Sequence, residues 1–195
     1  MIQFITQAEN RYSLAEQIQM AIEAGCGWVI VDPLDNSDED IKSSAEQFIP
    51  MCRETGVILT MINRPLLAKE LGVHGVWMTE DHPGPRQVRE DLGPEAIIGK
   101  SVKDVSAISA LKAMDIDYCS LDMSMGLENI DSIVGKCREM EIEMPLVVTG
   151  DIGIENLQAV MATGANGVAT GKHILSADNP VEYFRSMLEI LNKGQ

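Results

Sequence analysis

Along this chain, short runs of β-branched and aliphatic residues alternate with longer stretches in which apolar positions recur at helical spacing. Ile2–Thr6 is the first short run, and the periodic Ser13–Glu23 follows it. Trp28–Val31 leads to Ser37–Thr55, Val57–Ile62 to Leu66–Leu71, and Gly75–Met78 to Arg86–Leu92. Ala96–Ser101 leads to Val102–Met114, and Tyr118–Leu121 to Leu127–Met140. Leu146–Thr149 precedes Ile154–Thr163, and Gly167–Thr170 precedes Pro180–Leu191. The short runs are apolar throughout and do not alternate, the pattern of strands covered on both faces. Asp38, Glu39 and Asp40 open the second helical stretch, where acidic side chains suit the positive end of a helix. Glycine closes one helix after another, in "EAGCG", "ETGV", "ELGVHG" and "ATGANG", as fits the left-handed position past a helix end.

Eight strand–helix repeats with no linker or shift of composition between them predict a single (β/α)8 barrel of parallel strands over residues 1–195. The chain is shorter than the ~250 residues usual for that fold. A doubly wound open sheet is the rival arrangement.

Composition narrows the function. An apolar fraction of 45% against 23% charged residues is that of a folded chain rather than a disordered one. The net charge of −15 argues against a nucleic-acid partner, because phosphate-backbone contacts need Lys and Arg. It still admits a small phosphorylated ligand, since a few local donors can outweigh a distant net charge. No apolar run reaches the ~20 residues of a bilayer span, and no leader pattern opens the chain. The expectation is a cytoplasmic protein with no membrane partner. Cys26, Cys52, Cys119 and Cys137 are far apart with no C-x-x-C pair, which predicts buried free thiols. Met114, Met140 and Met161 read as adaptable packing, and Trp28 and Trp77 as core or rim rather than ligand-stacking residues.

In such a barrel the chemistry sits at the C-terminal ends of the strands, often with phosphate held by the loops after strands seven and eight. Those loops lie in "PLVVTGDIGIENLQAVMATGANGVATGKHIL", residues 145–175, which leaves its two strands through Thr149-Gly150-Asp151 and Thr170-Gly171-Lys172. Gly150 and Gly153 permit close backbone approach, and the helix starting near Ile154 presents N–H groups to an anion. Gly171 and Lys172 do the same after strand eight, with an ammonium added. Asp151 fits a phosphate pocket only if its carboxylate turns outward or carries a metal. Asp32, Asp35, Asp81, Asp122 and Asp151, all near strand ends, read either as oxygen ligands for a hard cation such as Mg2+ or as a solvated acidic surface. His82 and His173 read as solvated loop residues.

The central block "GVILTMINRPLLAKELGVHGVWMTEDHPGPRQVREDLGPEAIIGKS", the "DIDYCSLD" of strand six and the segment at residues 145–175 together resemble the thiamine phosphate synthase family and its thiazole tautomerase-like relatives. The order and spacing of the pieces match across nearly the whole chain. The resemblance implies a transferase of thiamine biosynthesis, which joins a pyrimidine pyrophosphate to a thiazole phosphate with Mg2+ neutralising the leaving pyrophosphate. It implies a small phosphorylated heterocycle as partner and leaves room for a homodimer. Carried onto this chain, it makes Asn63 and Ser101 catalytic candidates and Asp81 a metal ligand. Gly150, Asp151, Gly153, Gly171 and Lys172 become the candidate substrate- and phosphate-binding residues. The chain also departs from the family pattern. Arg64 stands where the family has a metal-binding Asp, and Trp77 where it has a His. Asp32-Pro33-Leu34-Asp35-Asn36 replaces Gln-x-Arg-x-Lys, and "SLDMSMGLEN" lacks the expected Lys. Lost cations weaken the grip on a multiply charged leaving group. A tautomerase-like enzyme, with Lys172, Asp122 or Asp151 as base, a silent ligand- or partner-binding barrel, and an isomerase or epimerase on the same fold therefore stay open.

Overall fold

The computed structural model describes residues 1–7, 11–33, 36–82 and 84–193. Eight strands run β1 (Ile2–Ile5), β2 (Trp28–Val31), β3 (Ile58–Ile62), β4 (Gly75–Met78), β5 (Ile97–Ser101), β6 (Tyr118–Asp122), β7 (Leu146–Thr149) and β8 (Gly167–Thr170). Every neighbouring pair is parallel, and β1 pairs with β8 through Ile2–Val168 and Phe4–Thr170, which closes the barrel. The open-sheet rival is thereby excluded. Around the barrel lie α1 (Leu14–Ala24), α2 (Asp38–Thr55), α3 (Pro65–Leu71), α4 (Pro85–Leu92), α5 (Val105–Leu111), α6 (Leu127–Glu139), α7 (Ile154–Ala162), α8 (Lys172–Ser176) and α9 (Pro180–Lys193). None of the described helices is long and apolar enough to cross a membrane.

Local chemistry sets the helix ends. Ser13 accepts from the Glu16 amide while its own N–H donates to the Glu16 carboxylate at 2.8 Å, and Ser37 and Asp40 repeat this reciprocal cap at α2. The capping hydroxyl and amide hold both carboxyls below the usual range. Helices α3 and α4 begin at Pro65 and Pro85, where the missing N–H has no helical acceptor to lose.

Alternate strand residues serve two separate apolar layers, which is why the strands read as largely hydrophobic runs. Val29, Val31, Leu59, Met61, Val76 and Met78 belong to the larger core under the helices. Ile5, Ile30, Ile62, Trp77, Tyr118, Val147 and Ala169 fill the barrel interior. Gly99 makes room for this filling, because a Cβ there would overlap the Tyr118 ring. Trp28, half-buried at the N-terminal end, meets Tyr118 edge-on at 5.5 Å and donates its indole N–H to Thr60 at 3.1 Å. The four cysteines are buried and free, as expected. Met140 is the exception among the packing methionines, at 57% exposure.

Candidate functional site

The strand ends surround an open cavity of about 970 Å³ at the C-terminal mouth of the barrel. Its floor is apolar, made by Ile5 of β1, Ile62 of β3 and Trp77 of β4. Polar groups ring the rim: Gln7, Asp32, Asn63, Thr79, Thr149, Asp151 and Thr170, with Arg64 and Lys172 as the cationic lining. An apolar floor under a ring of placed polar groups suits a flat, partly apolar ligand bearing charged substituents.

The two Thr-Gly exits from β7 and β8 both reach this rim. Gly150 has φ +124°, a conformation that L side chains rarely adopt, and it carries the chain from β7 into the mouth. Gly171 is pressed on β1, since a Cβ at that position would overlap the carbonyl oxygen of Ile5. Lys172 is the first residue of α8, and its ammonium makes no hydrogen bond or ion pair among the described residues. Thr170 fastens the two loops together by donating its hydroxyl to the Ile152 carbonyl at 2.8 Å. Gly153 lies deeper, at the start of α7, outside the cavity lining. The N–H groups expected to face an anion there are spent internally: Gly153 donates to Asn156 Oδ1 at 2.9 Å and Ile154 to the Tyr183 hydroxyl at 3.1 Å.

Asp151 lines the rim, and its carboxylate lies against His173, whose Nε2 is 2.9 Å from Oδ1, an ion pair when the imidazole is protonated. His173 therefore sits on α8, one-third exposed and paired, rather than in a solvated loop. His82 is half-buried in the turn after β4, with its Nδ1 buried and without a hydrogen-bond partner among the described residues.

Asn63 is at the mouth with φ +53°, and its side chain joins β3 to the end of β4. Its amide nitrogen donates to Thr79 Oγ1 at 2.7 Å, and its amide oxygen accepts the Thr79 N–H at 2.9 Å. Ser101 lies at the end of β5, outside the cavity lining, 3.0 Å from Ser120 Oγ. Ser120 in turn accepts the Trp77 indole N–H at 2.9 Å, so Ser101 supports the floor residue through one intermediary.

The carboxylates do not converge. Asp81 is exposed in the turn after β4 and away from the cavity, near Lys100 and Lys103. Asp122 accepts the Ser124 N–H, Asp32 and Asp151 line the rim, and Asp35 lies outside the described residues. Among the described residues no three His, Cys, Asp or Glu side chains come together as a metal site. The four described residues of this set therefore do not form one oxygen cage: strand ends around a barrel point to different sides of its mouth. Beside Asn63, where a carboxylate would be needed, Arg64 directs its guanidinium to Asp38 at 3.1 Å. The described donors therefore do not fit a protein-held Mg2+.

Sequence reasoning missed several rim residues. Gln7 and Thr79 follow β1 and β4, and their place after a strand was the available signal. Arg64 was noticed only as a departure from a family pattern.

The family model for thiamine monophosphate synthase matches residues 2–174. The thiamine-phosphate synthase of Bacteroides fragilis (strain YCH46) is 32% identical over 97% of this chain and 98% of its own length. That of Bacteroides thetaiotaomicron is 31% identical over 97% and 96%. In fold, the chain is similar to a thiamine phosphate pyrophosphorylase from Pyrococcus furiosus, with a TM-score of 0.87 at 19% identity, covering 98% of this chain and 95% of that one. With this match running from the first strand into α8, past Lys172, the chain belongs to the thiamine monophosphate synthase family.

Proposed function

We propose that this barrel joins a pyrimidine diphosphate to a thiazole phosphate, releasing pyrophosphate, as a transferase of thiamine biosynthesis. The observation that carries the reading is the family match over residues 2–174 meeting an open mouth with an apolar floor and cations on its rim. In this reading the heterocycles rest on Ile5, Ile62 and Trp77, and a phosphate or diphosphate group lies against Gly150, Gly171 and Lys172. Phosphate in barrels is often held by the loops after strands seven and eight and a short extra helix, and α8 is such a helix here. Arg64 is placed to meet a second anionic group at the same mouth.

Magnesium, in this reading, arrives on the diphosphate itself, because among the described residues no three His, Cys, Asp or Glu side chains come together to hold it. The pairing of β1 with β8 supports taking residues 1–195 as one working unit. A cytoplasmic setting is part of the same proposal. The family match favours transfer over the tautomerase-like and silent alternatives.

The test is release of pyrophosphate from purified protein given both substrates, with and without Mg2+, alongside thermal shifts with each substrate alone. Pyrophosphate release above the uncatalysed rate supports the proposal. Stabilisation by the thiazole phosphate with no turnover under any condition refutes it.

A further inference from the structure

Asp151 and Lys172 line the same cavity, yet they are not paired with each other. The carboxylate is taken by His173, the neighbour of Lys172 in the first turn of α8, at 2.9 Å. On the far side of the imidazole, Nδ1 lies 3.8 Å from the Glu155 carboxylate in the first turn of α7. The Asp151 backbone is fixed independently, since its carbonyl accepts from Asn156 Nδ2 at 2.9 Å. With the backbone held, side-chain rotation sets the direction of the carboxylate along the rim that Lys172 also lines.

We propose that His173 is a positioning residue that keeps the Asp151 carboxylate off Lys172, so that the ammonium stays available to an incoming anion. The inference rests on the anion-binding reading of the mouth and adds to it an internal competitor and its restraint. Without an imidazole, a carboxylate beside an unpaired ammonium closes an ion pair. The anion would then have to break that pair before binding. His173 does not line the cavity and acts entirely through Asp151. An exposed pair of this kind changes anion affinity by roughly two- to fivefold.

Binding of inorganic pyrophosphate, measured by calorimetry at constant ionic strength, tests the proposal in a mutant cycle. His173→Leu is expected to bind two- to fivefold more weakly, and His173→Gln, which still donates an N–H, close to the unsubstituted protein. Asp151→Asn should bind at least as tightly as the unsubstituted protein, and adding His173→Leu to it should change nothing. An equal loss from His173→Leu in both backgrounds would show a merely structural role and overturn the proposal. So would an unchanged affinity in the single variant. The pairing can also be read without any ligand, from the 13Cε resonance of Lys172. Asp151→Asn should move that resonance in the His173→Leu background and leave it in place when His173 is present. A protein that fails to bind pyrophosphate contradicts the anion site itself, while the Lys172 resonance still decides whether His173 holds the carboxylate. The same resonance response in both backgrounds overturns the inference.

Discussion

Asn63 and Lys172 both reach the mouth of the barrel, and they differ in what they have left to offer a ligand. The Asn63 amide is spent at both ends on Thr79, so it braces the junction of β3 and β4. Lys172 has an ammonium with no partner among the described residues, on the rim of the cavity. Lys172→Met keeps most of the stem and deletes the charge. It is expected to weaken pyrophosphate binding about tenfold, the scale of one charge-assisted contact, with calorimetry as the check. Unchanged affinity would mean that the glycines beside it are turns and nothing more. Lys172 was legible because a Thr-Gly-Lys exit follows a strand. The engagement of Asn63 was not, because its partner lies on another strand and only the β3–β4 register brings the two together. Burial gives the cysteines the opposite character to Lys172. It pushes the Cys26 and Cys119 thiols up to about 12 and Cys52 to about 11. Since the thiolate is the nucleophile, a disulfide reagent at neutral pH should modify the folded protein far more slowly than the unfolded chain, where all four thiols react. Rapid labelling of any of the four in the folded state would contradict this burial.

At the scale of elements, hydrophobic pattern found all eight strands, because both faces of each strand are buried and the few polar residues within them, such as Gln3, Thr60, Lys100 and Ser120, are buried too. Boundaries moved where a cap competed. The helix expected from Val102 starts at Val105, since the Asp104 carboxylate accepts the Ala107 N–H at 2.8 Å and makes Asp104 the cap. Helix α8 was missed altogether: five residues are too few to display a period. Lys100 shows how one element supports the next. It lies on β5, buried with its stem toward the helices, and donates to the carbonyls of Thr79, Glu80 and His82 at 2.6, 2.8 and 2.9 Å. Burial lowers its pKa, with Glu80 and Asp81 acting in the other direction. Lys100→Met would leave three carbonyls of the β4–α4 turn without this donor. The expected cost is about 1–3 kcal/mol of stability, read from urea unfolding, with faster amide exchange in residues 79–82. A variant as stable as the parent would show that water replaces the ammonium at no cost.

For the molecule as a whole, closure of the barrel was legible from the count of repeats, whereas the fate of the acidic residues was not. Five aspartates near strand ends look like a cluster in sequence. In space, Asp81 and Asp122 fall away from the cavity that Asp32 and Asp151 line. That distribution bears directly on rate. Pyrophosphate leaving from the mouth develops several negative charges, and the rim meets them with Arg64 and Lys172 against Asp32 and Asp151. Arg64 is itself partly committed to Asp38. The segment after β2 reads Asp32-Pro33-Leu34-Asp35-Asn36 and contributes no cation, nor does "SLDMSMGLEN" after β6. Preorganised positive charge at a leaving group acts mainly in the transition state, and each missing contact there costs on the order of tenfold to a hundredfold in rate. Three missing cations therefore predict a kcat/KM at least about a thousandfold below that of a relative carrying Gln-x-Arg-x-Lys, the Lys after β6 and an Asp at the position of Arg64. The deficit should fall mainly on kcat, because ground-state binding of the heterocycles rests on the floor of Ile5, Ile62 and Trp77. Steady-state pyrophosphate release from the two proteins, assayed side by side with saturating Mg2+, measures it. Equal kcat values would mean that Arg64 does the work of the missing cations. Arg64→Met should then abolish turnover in this chain.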